Sequence, residues 1–163
     1  METRSVEAIF KALNEASVRY LVVGGLAVNA YGYVRMTRDV DLVLELKEDN
    51  ILRGLDALFH IGYQMAIPAT PQDFAREEIR EQWRTEKNMI VLKLWSEQHL
   101  RTPVDIFIRE PFVFEDEIQK ARYLDLSSGV SAPIVDLQSL IRMKQEAARQ
   151  QDLVDIQELT RNQ

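Results

Sequence analysis

The sequence predicts an α+β domain, a small mixed β-sheet flanked by helices with further helices closing its C-terminal end. Apolar residues recur at helical spacing in several separate segments, and short alternating or β-branched runs lie between them. Glycine, proline and serine clusters mark the changeovers. With 163 residues, 46% of them hydrophobic and 28% charged, the chain has the balance of an ordinary globular protein. A chain of this size buries roughly 70% of its unfolded surface. No repeat, low-complexity tract or linker interrupts it. Residues 1–163 read as one domain, with a core over about 18–126 and closing helices over about 133–163.

Val6, Ile9, Phe10 and Leu13 give an opening amphipathic helix. Val18 to Val23 is an apolar strand that stops at Gly24-Gly25, and Leu26 to Tyr31 forms a short helix ending near Gly32. The clearest strand follows, because Val40, Leu42, Leu44 and Leu46 alternate with Asp39, Asp41, Val43 and Glu45. One of its faces is core and the other begins with two acids. Ile51, Leu52, Leu55, Leu58 and Phe59 form a helical stripe ended by Gly62. Thr70-Pro71-Gln72-Asp73 starts a charged helix whose buried edge is expected at Ala75, Ile79 and Trp83. Met89 to Trp95 and Val104 to Ile108 read as a hairpin, and a weaker strand pair flanks Ser127-Ser128-Gly129. Two helices close the chain, about Val135 to Arg149 and Leu153 to Arg161.

There are no cysteines, so disulfides, thiol catalysis and cysteine-ligated zinc are excluded. No window has the apolar length of a membrane span, and the first residues lack the apolar core of a signal peptide, which makes the cytoplasm the expected location. The net charge of −6 gives the molecule as a whole no attraction for a phosphate backbone. A local basic patch would need the fold to gather Arg35, Arg38, Arg142, Lys144 and Arg149.

Asp39 and Asp41 stand at i and i+2 on a strand, so their side chains leave the same face. Two carboxylates that close repel unless a cation sits between them, and Mg²⁺ suits such oxygen ligands while leaving positions open for phosphates. Acids on the solvent face of an edge strand are the ordinary alternative. In Val104-Asp105-Ile106-Phe107-Ile108 the apolar residues face the core and turn Asp105 away from it. If the two strands pair, three carboxylates converge, a common ligand set for two metal ions in phosphoryl-type transfer. Otherwise Asp105 is the cross-strand partner of a lysine or arginine. Gly24-Gly25 is either a simple tight turn or a set of bare amides for a phosphate. It matches neither a Walker A loop nor a GxGxxG fingerprint. Lys144 lies on the apolar stripe of its helix, where a lysine snorkels or meets a buried anion, and periodicity favours snorkelling. Asp152 reads as the cap of the last helix and Asp155 as an acid of its first turn. His60 and His99 are isolated.

Taken in order, Gly24-Gly25, a short helix, Asp39-Val40-Asp41 and Asp105 resemble the nucleotidyltransferase superfamily of the polymerase β-like fold. Arg35-Met36-Thr37-Arg38 resembles the RxTxD lead-in of the branch that includes AbiEii-type toxins and minimal nucleotidyltransferases. The resemblance implies that Asp39, Asp41 and Asp105 bind two Mg²⁺ ions, with Asp105 helping to deprotonate an acceptor. It also implies that Gly24 and Gly25 hold the β and γ phosphates of an NTP, with Arg35, Thr37 and Lys144 as further phosphate contacts. The acceptor would be a hydroxyl on RNA, protein or a small molecule, and a cognate antitoxin is the protein partner this branch suggests. Gly25 stands where many members carry serine, which removes a hydroxyl, and little chain remains for a separate acceptor domain. The competing expectation is a catalytically degenerate module that binds nucleotide or a partner protein. A haloacid-dehalogenase-type phosphatase fits poorly, because its acids follow a hydrophobic strand whereas Asp39 and Asp41 precede one.

Overall fold

The computed structural model describes residues 1–161. Eight helices and seven strands follow one another in the order α1 (Thr3–Glu15), β1 (Tyr20–Val23), α2 (Gly24–Ala30), β2 (Val40–Leu44), α3 (Glu48–His60), β3 (Gln64–Met65), α4 (Pro71–Ala75), α5 (Glu77–Lys87), β4 (Val91–Trp95), β5 (Val104–Phe107), α6 (Phe114–Ile118), β6 (Arg122–Asp125), β7 (Ser131–Ile134), α7 (Leu137–Ala147) and α8 (Gln150–Arg161). The strands form one mixed sheet in the order β3-β4-β5-β2-β1-β7-β6. β2 pairs antiparallel with β1 and parallel with β5, while β4-β5 and β6-β7 are the two antiparallel pairs expected from sequence.

β2, the strand expected to carry the two acids, therefore lies at the centre of the sheet, which removes the edge-strand alternative. Both of its faces are covered. Leu42 and Leu44 are fully buried on one side, and Val43, on the side expected to meet solvent beyond the acids, is buried as well. α1 packs on α3, and α3 packs on β2, where Gly54 brings the helix so close that an added methyl would stand 3.2 Å from Leu44. Ile9, Phe10 and Leu13 of α1 and Ile51, Leu55 and Leu58 of α3 are fully buried. Each such side chain contributes about 1.5–3 kcal/mol through removal from water. α2 lies against β1 and β2, α7 reaches α2, and α8 packs on α7.

The charged helix expected from Thr70 is two helices. Thr70 and Asp73 form the capping box, but the chain turns extended at Arg76, at φ −86° and ψ 123°. The Phe74 carbonyl, which a continuous helix would pair internally, accepts instead from Arg80 Nη1 at 2.6 Å. Arg80 Nε also donates to the Ile108 carbonyl at 3.2 Å and the guanidinium lies over the Phe74 ring, so a buried arginine fastens the break to the sheet. The buried side chains are consequently Phe74, Arg80 and Trp83, with Ala75 and Ile79 only half-buried. The alternation rule had no signal for the two-residue β3 or for α6.

Arg80→Met leaves two buried carbonyls without their donor. Hydrogen bonds to charged groups contribute about 1.5–3 kcal/mol each, so urea unfolding is expected to show a loss of about 2–4 kcal/mol, while Arg84→Met, on the exposed side of the same helix, leaves the midpoint nearly unchanged.

Candidate active site

The strand register builds the site. Asp41 on β2 is the direct partner of Val23 on β1 and of Asp105 on β5, and Asp105 is the direct partner of Lys93 on β4. Aligned positions share a face of the sheet, so Lys93, Asp105 and Asp41 form one rung. A hydrogen bond from the Val40 amide to the Pro103 carbonyl, 2.9 Å, sets this register at the start of the strand. Asp39 is not on the strand. It occupies the bend just before it, close enough for its charge to act on Asp41, Asp105 and Lys93.

The rung ends at the glycine turn. Gly24 has φ +65°, in the left-handed region, and a Cβ there would collide with the Asp41 carboxylate, reaching 2.6 Å from its Cγ. Gly25 is equally constrained by contact, since its Cβ would stand 2.8 Å from Thr37 Cβ and overlap the Thr37 hydroxyl. The hydroxyl that Gly25 lacks is thus replaced in space by that of Thr37, which arrives from the loop before β2. Gly24, Asp41, Lys93, Asp105, Lys144 and Arg149 all line one cleft of about 670 Å³.

Electrostatics at this rung is uneven. Burial pushes the Asp41 carboxyl up to about 7, the Asp105 and Asp39 charges add to that, and the Gly25 amide and Lys144 pull only weakly the other way. Burial likewise holds Asp105 above the ordinary carboxylate range, although Lys93 Nζ donates to both its oxygens at 3.0 and 2.8 Å. The lysine partner weighed from sequence is therefore real, and it coexists with the Asp41–Asp105 pairing. Among the described residues no three acidic or histidine side chains are grouped ready to hold a cation. The donor chemistry nonetheless suits a hard divalent ion: Asp41 and Asp105 are paired on the rung, Asp39 adds its charge from the bend, and only Asp105 has an ammonium bonded to it.

Lys144 does not snorkel. It is buried and binds two carboxylates, Asp152 at 3.1 Å and Asp155 at 2.7 Å. Asp155, placed well inside α8 rather than in its first turn, also receives Arg35 through Nε and Nη2, both at 2.7 Å. Asp152 is not the cap but a first-turn acid of a helix that starts at Gln150, and it accepts from the Arg149 amide and side chain. The fold gathers Arg35, Lys144 and Arg149 as sequence required for a basic patch, but two buried acids absorb most of that charge, and Arg38 and Arg142 are exposed outside this network. Sequence missed Lys93, Asp152 and Asp155 as partners. The signal for the last two was the lysine on an apolar stripe. His99, left unassigned, stacks on Tyr63 and bonds Ser5, a structural role.

This sheet, with its acids on the central strands and a glycine turn at their end, is a nucleotidyltransferase fold. It superimposes over its full length on a lincosamide antibiotic adenylyltransferase, LnuA, solved with lincomycin bound, with a TM-score of 0.66, 14% identity and 99% of that chain covered. An antigenic nucleotidyltransferase-like protein from Paracoccidioides brasiliensis gives 0.57 at 17% identity, over 96% of this chain and 73% of that one. A putative nucleotidyltransferase from Thermotoga maritima gives 0.59 at 12%, over 98% and 92%. No protein-family model matches the sequence, and no curated protein matches it. No helix among the described residues is long and apolar enough to cross a membrane.

Burial pushes Asp155 upward, but the hydrogen bonds from Arg35, Lys144 and Gln151 outweigh it and draw its carboxyl down to about 2. It thus binds a proton more weakly folded than unfolded, so the stability it supplies is complete above about pH 4 and disappears as the pH falls towards about 2. Asp155→Asn is expected to lose about 3–5 kcal/mol at neutral pH, because the half-buried Arg35 loses its carboxylate and the buried Lys144 keeps only Asp152. Denaturant titrations between pH 2 and 7 (roughly the range where this carboxyl differs between states) should show a steeper acid decline in the wild type than in the variant.

Proposed function

We propose that the chain is a Mg²⁺-dependent nucleotidyltransferase that moves a nucleoside monophosphate from an NTP to a hydroxyl acceptor. The observation that carries this is the direct pairing of Asp41 with Asp105 beside a glycine turn closed against Asp41. Asp39, Asp41 and Asp105 are the ligands for two Mg²⁺ ions, which when bound supply charge neutralisation at the triphosphate. The amides of Gly24 and Gly25 and the Thr37 hydroxyl receive the β and γ phosphates, the Gly25 amide turning from the Asp41 carboxylate it now serves. Asp105 takes the proton of the acceptor hydroxyl, whose oxygen forms the new bond to the α-phosphorus as the bond to pyrophosphate breaks. Arg35 and Lys144, counted among the phosphate contacts from sequence, act through position: one fixes the loop bearing Thr37, and the other puts a positive charge close to Asp41.

Among RNA, protein and small-molecule acceptors, a small hydroxyl compound is best supported. LnuA, a lincosamide antibiotic adenylyltransferase, is covered almost entirely by this chain, so a protein of this extent needs no separate acceptor domain for such work. A place in the cytoplasm with a cognate antitoxin, as the AbiEii-like lead-in implies, is the biological setting we propose. The second reading, a degenerate nucleotide-binding module, is favoured by one observation: both oxygens of Asp105 are already occupied by Lys93.

Labelled NTPs, Mg²⁺ and a panel of hydroxylated antibiotics or cell extract should yield a labelled acceptor. Asp41→Ala and Asp105→Asn are expected to lower the rate at least about 10²-fold, the loss typical of removing one stabiliser of transition-state charge. Transfer that persists in both variants sinks the enzyme; Mg²⁺-dependent NTP binding by calorimetry without any turnover selects the module.

A further inference from the structure

Lys93 is the one member of the rung that the nucleotidyl-transfer scheme leaves without a task. Its ammonium bonds both oxygens of Asp105, at 3.0 and 2.8 Å, while Asp105 itself is almost fully buried. The Lys93 side chain is 60% exposed, against 6% for Lys144, which two carboxylates hold in place. Of the two lysines of the cleft, one is therefore fixed and the other sits on a long, flexible, solvent-facing stem. A Mg²⁺ ion bonds a carboxylate oxygen at about 2.0–2.1 Å. Such an ion on Asp105 and an ammonium on the same two oxygens would be like charges only a few ångströms apart, a strongly unfavourable arrangement.

We propose that Lys93 is a resident counter-ion of the acidic site, which holds Asp105 while no divalent cation is bound and is expelled from it when one binds. This rests on the reading of the acids as a divalent-cation site. The geometry leaves a route: Asp105 is held in the sheet, whereas the Lys93 stem faces solvent, so rotation of that stem alone frees both oxygens.

The test uses the full chain and Mn²⁺ alone, without nucleotide, with free Mn²⁺ followed by electron paramagnetic resonance. Lys93→Met is expected to tighten Asp41-dependent Mn²⁺ binding about three- to fivefold, the size of a partly exposed ion pair, and to lower the melting temperature in EDTA. Lys93→Arg, which retains the charge, should keep wild-type affinity. Unchanged or weaker Mn²⁺ binding by Lys93→Met, or tightening by Lys93→Arg as well, overturns the counter-ion while leaving the cation site intact. Absence of Asp41-dependent Mn²⁺ binding in the wild type and in both variants overturns the site and the counter-ion together.

Discussion

A single rung across the sheet, Lys93–Asp105–Asp41, imposes the main constraint on this molecule. It buries carboxylates side by side on the two central strands, where water can no longer solvate them, and such burial is unfavourable unless other groups offset it. The acids do not choose this register. The backbone ladder and the apolar residues Val40, Leu42, Val104 and Ile106 do, since a slip of one residue would carry each of them to the opposite face. Burial of the apolar side thus drives the acids together against their repulsion. The neighbouring features follow from that: a glycine turn thin enough to touch Asp41, an ammonium on Asp105, and a buried lysine behind them.

The loop from 31 to 39 shows how the site is held where no secondary structure holds it. Asn29 grips the Arg35 backbone at both its amide and its carbonyl, and the Arg35 side chain is locked to Asp155 on α8. Arg35 also donates to the Met36 carbonyl, which fixes the turn that sends the Thr37 hydroxyl against Gly25. The C-terminal helix therefore contributes to the site without touching the acids. With Lys144 and Arg149 the network sets three cations around two carboxylates, and its surplus positive charge lies close to the surplus negative charge of the acids.

Periodicity made the order of elements legible, because burial repeats with the period of a helix or a strand: α1 and α3 each expose one polar side, and β4 alternates buried with exposed residues. It also set Asp41 and Asp105 opposite apolar neighbours by counting along the chain, whereas Asp39, counted with them, falls on the bend before β2. The break at Arg76 could not be counted, since it depends on Arg80 reaching two carbonyls, one of them in the segment after β5. Lys93 was nearly within reach: the hairpin and the alternation around Leu92 and Leu94 placed it opposite the core, and only the register was missing. Lys144 was misjudged for a different reason. Local spacing describes a residue's own helix, whereas the anions that keep this lysine inside come from the next one.

The cleft itself explains why its chemistry is easier to infer than its specificity. The end bearing Gly24, Asp41 and Asp105 is dictated by strand register and by contacts that exclude even a methyl group, so little there can vary without loss of the fold. The other end is walled by Ile90, Phe107, Pro111 and Met143, side chains whose size and polarity can change while the sheet stays as it is. Proteins share this fold at 12–17% identity, and a common fold by itself fixes neither the walls of a cleft nor what they recognise. Under the function proposed above, the acceptor would meet that wall, where Glu146, Lys144 and Arg149 are the nearby charged residues of the α7–α8 segment that line the cleft. On that proposal the apolar side chains of the wall, rather than the mixed charges around it, would set the shape and hydrophobicity of the acceptor.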